Sequence, residues 1–114
     1  MPTIRAVVVL EVDGVAVPGF PISRRITVNE VQGFDYVKAT GGGAVALPVD
    51  QIGAAINAIA VRPDAQVTLA FGQIKVNAGG LILVIDGDLG TGANATVTNA
   101  SGGNAQVRGV GAGS

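Results

Sequence analysis

Between Thr3 and Val12 the side chains alternate, with Ile4, Ala6, Val8, Leu10 and Val12 on one face and Arg5, Val7, Val9 and Glu11 on the other. A repeat of two is that of a strand, whose successive side chains point to opposite faces. Asp13-Gly14 follows, a pair that tolerates the left-handed backbone of a tight hairpin turn, and Val15-Ala-Val17 begins the return. Pro18, Gly19 and Pro21 interrupt it. Ile22 to Val28 alternates again, with Ile22, Arg24, Ile26 and Val28 opposed by Ser23, Arg25 and Thr27. Arg24 thus falls on the apolar side, which predicts a partner surface or a buried carboxylate against it. Phe34 to Ala39 predicts a short strand before Gly41-Gly-Gly43.

The stretch from Pro48 to Ala60 has a different period. Val49, Ile52, Ala55, Ile56 and Ile59 match one face of a helix, and Asp50 would sit in its first turn, where a negative charge is favoured. Gly53 weakens that pattern. The expectation is at most a short helix near residues 50–58, then a strand ending at Arg62-Pro63. Further strands are predicted at Gln66 to Phe71, Gln73 to Val76, Leu81 to Ile85, Asn94 to Thr98 and Asn104 to Val110, each bounded by Gly, Asn or Asp. Leu81-Ile-Leu-Val-Ile85 is apolar on both faces, which predicts a central, doubly covered strand. Short strands at regular spacing give an all-β fold, a β-sandwich or jelly roll, in a single domain spanning 1–114. Residues 109–114 read as a Gly-rich C-terminal tail.

Composition sharpens this picture. Among 114 residues there are 18 Gly and 5 Pro, too many for long helices, and the 48% apolar content rests on aliphatic residues because there are only three Phe, one Tyr and no Trp. One core of ordinary size is within reach of such a chain. Charged residues make up 13%, about half the usual share of roughly 25%, and the net charge is -1. That balance offers no field to attract a polyanion, so nucleic acid is not an expected partner. A surface so sparsely charged is also poorly guarded against association, which suggests that neighbours cover much of it. The apolar run Ala6 to Leu10 is cut by Glu11 and Asp13, too soon for a secretory leader. Leu81 to Ile85 is far below the roughly 20 residues that cross a bilayer as a helix, so no membrane partner is expected.

The chemistry-bearing residues are few. With no His and no Cys, imidazole acid-base catalysis, Ser-His-Asp and Cys-His nucleophiles and the usual zinc ligand sets are excluded. Ser101, in Asn99-Ala-Ser-Gly-Gly103, lacks both a base and the first glycine of a nucleophile elbow. Asp86-Gly-Asp88 with Asn94 could offer oxygens to calcium, but the further acidic positions of a calcium loop are missing, and an Asp-Gly turn accounts for it. Gly87, Gly90 and Gly92, and Gly109, Gly111 and Gly113, do not fit a dinucleotide fingerprint. Eight carboxylates are spread over turns and one strand, and four aromatics are too few to build a sugar cleft around any two of them. Asn94-Ala-Thr96 and Asn99-Ala-Ser101 match the glycosylation pattern by chance. The expectation is a protein that is not an enzyme, with no catalytic, cofactor or metal residues.

The order Val61-Arg-Pro-Asp-Ala-Gln-Val-Thr-Leu69, Ile74-Lys-Val-Asn-Ala-Gly-Gly-Leu81, Ile85-Asp-Gly87, Ala95-Thr-Val-Thr-Asn-Ala-Ser101 and Ala105-Gln-Val-Arg-Gly-Val-Gly-Ala-Gly113 resembles small virion structural proteins of tailed bacteriophages. The likeness is to head decoration, or cement, proteins and covers the C-terminal half. It implies a β-sandwich or jelly roll, a homo-oligomer with a trimer favoured, the major capsid protein or other virion proteins as partners, and location in the virion. The alternative is a carbohydrate- or receptor-binding β-module at a fibre, spike base or tail, which would need its few aromatics gathered into an exposed platform.

Overall fold

The computed structural model describes residues 1–113 apart from 42, 50, 51, 53, 54, 92 and 93. Strands dominate it. The first 28 residues form an arm: β1 (Thr3–Val8) pairs antiparallel with β4 (Ile22–Thr27), and between them β2 (Glu11–Val12) pairs with β3 (Val15–Ala16). Val12 lies opposite Val15, so Asp13-Gly14 is a two-residue turn, and φ of 52° and 79° at these residues is the left-handed backbone such a turn demands. The hairpin expected there is present. The predicted single strand from Thr3 to Val12 is instead two pieces.

The body is a sandwich of two four-stranded antiparallel sheets. The first has β10 (Ile82–Ile85), β7 (Ile56–Pro63), β12 (Ala105–Gly113) and β5 (Glu30–Lys38) in that order. The second orders β6 (Val45–Ala46), β11 (Thr96–Thr98), β8 (Val67–Leu69) and β9 (Ile74–Val76), with a 3-10 turn at Phe71–Gln73 between the last two. Strand alternation explains the packing. Ile59 and Val61 of β7, Val107 of β12 and Phe34 of β5 meet Val67, Leu69, Val76 and Val97 of the second sheet in one aliphatic core. The all-β sandwich expected from the spacing of apolar runs is the fold.

Of four further expectations, one falls largely outside the described residues and three change. Residues 50, 51, 53 and 54 of the candidate helix lie outside the described residues, and from Ile56 onward the chain is strand. Leu81 to Ile85 does not make a central strand. β10 is an edge, hydrogen-bonded to β7 alone, with Leu81 58% exposed. Five apolar side chains in a row specify apolar cover for two faces, not partners for two edges, and here one of those faces stays open. The segment read as a tail, residues 109–113, is the second half of β12, paired with β5 on one side and β7 on the other. Its glycines are the reason it fits: a Cβ on Gly109 would fall 1.9 Å from the Ala60 carbonyl oxygen, and one on Gly111 would fall 2.7 Å from Val49. Finally, Arg24 pairs with Asp86, but both side chains are about half exposed, so the carboxylate is not a buried one.

Register shifts between Ala112 and Gly113, so that Ala112 faces Ala58 while Gly113 faces Ile56 and Asn57 is the extra residue of a bulge. Asn57 Nδ2 donates to the Gly87 carbonyl at 3.0 Å, and Gly87 N–H donates back to the Asn57 carbonyl at 2.9 Å. The bulge thereby fixes the turn at which β10 leaves the sheet.

Candidate docking surface

The first sheet has two faces, and only one meets the core. On the other lie Ala58, Ala60 and Arg62 of β7, Gln106, Arg108, Val110 and Ala112 of β12, and Leu83 and Ile85 of β10, as their register dictates. The base of the arm covers one end of this face: Ile4 and Ile26 pack with Val28 on Ala58, Ala112 and Ile85. Beyond that seal the face is open. A cleft of about 210 Å³ runs between β1 and the floor made by Ala60, Leu83 and Val110. A larger one of about 650 Å³ continues from Ala60 past Leu81 to Arg62, Arg108 and Asp64. Ala58, Ala60 and Ala112 leave this hollow, because so small a side chain places little above the sheet.

The polar end of the groove is built by cross-strand neighbours. Arg108 stands opposite Arg62 on one side and opposite Asp35 on the other. Its Nε lies 3.5 Å from an Asp35 oxygen, while Gln106 Nε2 donates to the other Asp35 oxygen at 2.7 Å. Gln106 N–H donates to Asp64 Oδ1, also at 2.7 Å. Among the described residues Arg62 has no carboxylate partner. Two like charges directly opposite on a strand pair repel; Asp35 lies against Arg108, and Asp64 lines the same end of the groove without an ion pair to Arg62.

The arm is the second feature. Past its sealed base, Val7, Val9, Leu10, Val12, Val15 and Ile22 are exposed, with Val12 at 64% and Val15 at 69%. β2 and β3 make their main contacts with one another and little with the body. Glu11 and Asp13 punctuate this apolar tip. A lone exposed valine is ordinary, but six large aliphatic side chains within sixteen residues form a patch of the kind that marks an interaction site. On the face of the arm turned from the body, Arg5 stands opposite Arg25, and Arg5 Nε donates to Ser23 Oγ at 3.3 Å. Arg24 and Arg25 therefore point to opposite sides.

The residues weighed for chemistry are occupied by turn geometry. Asp88 Oδ1 accepts the Gly90 N–H at 2.8 Å, and Asn94 Nδ2 donates to the Leu89 carbonyl at 2.8 Å. Among the described residues no three His, Cys, Asp or Glu side chains gather as a metal would need. Asn99 is fully buried: its amide donates to the carbonyls of Lys38 and Gly103 and its oxygen accepts the Ser101 N–H. It closes the 99–103 turn and is inaccessible to a glycosyl donor. Lys38, 4% exposed, donates to the Ala39 and Gly41 carbonyls beside it. Sequence reading missed this Lys38-Asn99 knot. Phe34 belongs to the core and Tyr36 and Phe71 pack against it, so the aromatics do not gather into an exposed platform.

No family model, no curated protein and no solved structure matches this chain.

Proposed function

We propose that this protein is a non-catalytic structural component of a larger particle, a decoration protein on the head of a tailed bacteriophage, acting as a homo-oligomer that adds contacts to the shell. The observation that carries the reading is the arm: an apolar hairpin whose tip, β2 and β3, makes little contact with the body has no use for an isolated molecule, and in an assembly it is an anchor. The open groove on the first sheet is a second surface in need of cover. Neighbouring copies and the capsid protein supply that cover, and apolar area removed from water stabilises the particle at about 25 cal/mol per Å². The resemblance in the C-terminal half is what supports a phage virion over other assemblies. The sequence supports the lack of catalysis, since it holds neither His nor Cys. Particles purified from the phage whose genome carries this chain should contain it in stoichiometric proportion to the shell protein, measured by quantitative mass spectrometry. Its absence from such particles overturns the virion reading.

A further inference from the structure

We infer that the groove on the open face of the first sheet is the seat of the arm of a second copy, so that each chain inserts its hairpin tip into the next. This rests on the oligomeric reading above and gives that oligomer its interface. Three observations meet. The tip is apolar with acidic punctuation: Val9, Leu10, Val12 and Val15 are exposed, and Glu11 and Asp13 flank Val12 without an ion-pair partner among the described residues. The groove is the complement. Its floor is Ala60, Leu83 and Val110, its wall is Leu81, and its far end holds the opposed pair Arg62 and Arg108 beside Asp64; Arg108 lies against Asp35 and Asp64 accepts the Gln106 N–H, so that Arg62 is the cation left without an ion pair among the described residues. Its larger part, about 650 Å³, has room for several aliphatic side chains.

A second copy fits better than a foreign partner because both halves of the match stand on this one chain. Glu11 and Asp13 delivered to Arg62 and Arg108 relieve the like-charge opposition on the sheet, while the valines and Leu10 cover Leu81, Leu83 and Val110. The contact is heterologous, since tip and groove are different surfaces. Repetition therefore closes a ring or grows a filament, and a closed ring is the form compatible with a discrete particle component. Burial of apolar side chains supplies most of the affinity. The charges set register and exclude wrong pairings, the usual division of labour at interfaces.

Charge reversal on the full-length chain tests this. One variant carries Glu11→Arg with Asp13→Asn, the asparagine keeping the left-handed turn position; another carries Arg62→Glu with Arg108→Gln. All four positions are at the surface. Light scattering should find the native chain oligomeric and each variant alone, with like charges now brought together at the contact, shifted toward the 11.2 kDa monomer with an unchanged circular dichroism spectrum. Mixing the two variants, or combining all four substitutions in one chain, should restore the oligomer, because acid again meets base. Variants that keep the native oligomeric mass would overturn the arm-in-groove contact and leave the oligomeric reading standing. A four-substitution chain that stays monomeric would also overturn it, since the charges then do not meet one another. A native chain that is itself monomeric removes both.

Discussion

Gly109 and Ala60 approach so closely that a Cβ on the glycine would lie 1.9 Å from the alanine carbonyl oxygen and 2.9 Å from Phe34 Cζ. The obstruction is backbone on a central strand, which cannot swing aside as a flexible side chain would. Gly109→Ala should therefore destabilise the fold by about 3 kcal/mol, the upper part of the range for overpacked interiors. Gly33 is the control: a Cβ there meets nothing nearer than 3.9 Å, so Gly33→Ala should leave the free energy of urea unfolding within about 0.5 kcal/mol of native or raise it slightly.

Asn99 serves three backbone groups from a fully buried position, so removing it strands the Lys38 and Gly103 carbonyls and the Ser101 N–H. Asn99→Ala should cost about 3 kcal/mol, the penalty of leaving buried polar groups unmet. Asn104→Ala, at an exposed site just before β12, should change the free energy of unfolding by less than about 0.5 kcal/mol. Equal effects from the two substitutions in urea unfolding would contradict the knot.

The Arg24–Asp86 pair joins the arm to the end of β10, but with side chains 56% and 46% exposed it contributes little to global stability. Arg24→Ala should lower stability by no more than about 0.5 kcal/mol. Its effect should appear in hydrogen exchange instead: amides of β1 and β4 lose protection while those of β7 and β12 keep theirs, because the arm opens as a local unit. Uniform loss of protection over all four strands would show that the arm is not separable.

The parts of this fold legible in the sequence were those with a two-residue period or a distinctive turn. Ile4, Ala6 and Val8 face the body as their alternation implies, and Asp13-Gly14 makes the tight turn its composition announces. What could not be read was pairing. Leu81 to Ile85 shows that an apolar run fixes how greasy two faces are and says nothing about edges. Gly109, Gly111 and Gly113 did carry a usable signal, since their spacing by two marks positions where neighbours come close: Ala60 and Phe34 at Gly109, Val49 and Ile52 at Gly111, and Ala55 and Ile52 at Gly113. It was obscured because glycine-rich chain ends are usually loose. The groove was illegible for a related reason: it arises where Ala60 and Val110 from distant segments leave the same surface low. Asn99 was hidden because burial of an amide depends on which carbonyls the fold brings to it.

Association through apolar surface is the claim on which the account turns, and light scattering of the full-length chain over a range of ionic strength tests it most directly. Screening weakens exposed charge pairs within about 10 Å at 0.1 M salt and leaves buried apolar area almost untouched. The account predicts a discrete oligomer, a trimer of about three times the 11.2 kDa chain mass, that persists from low to high salt. An 11.2 kDa monomer at every concentration and every salt level would contradict it.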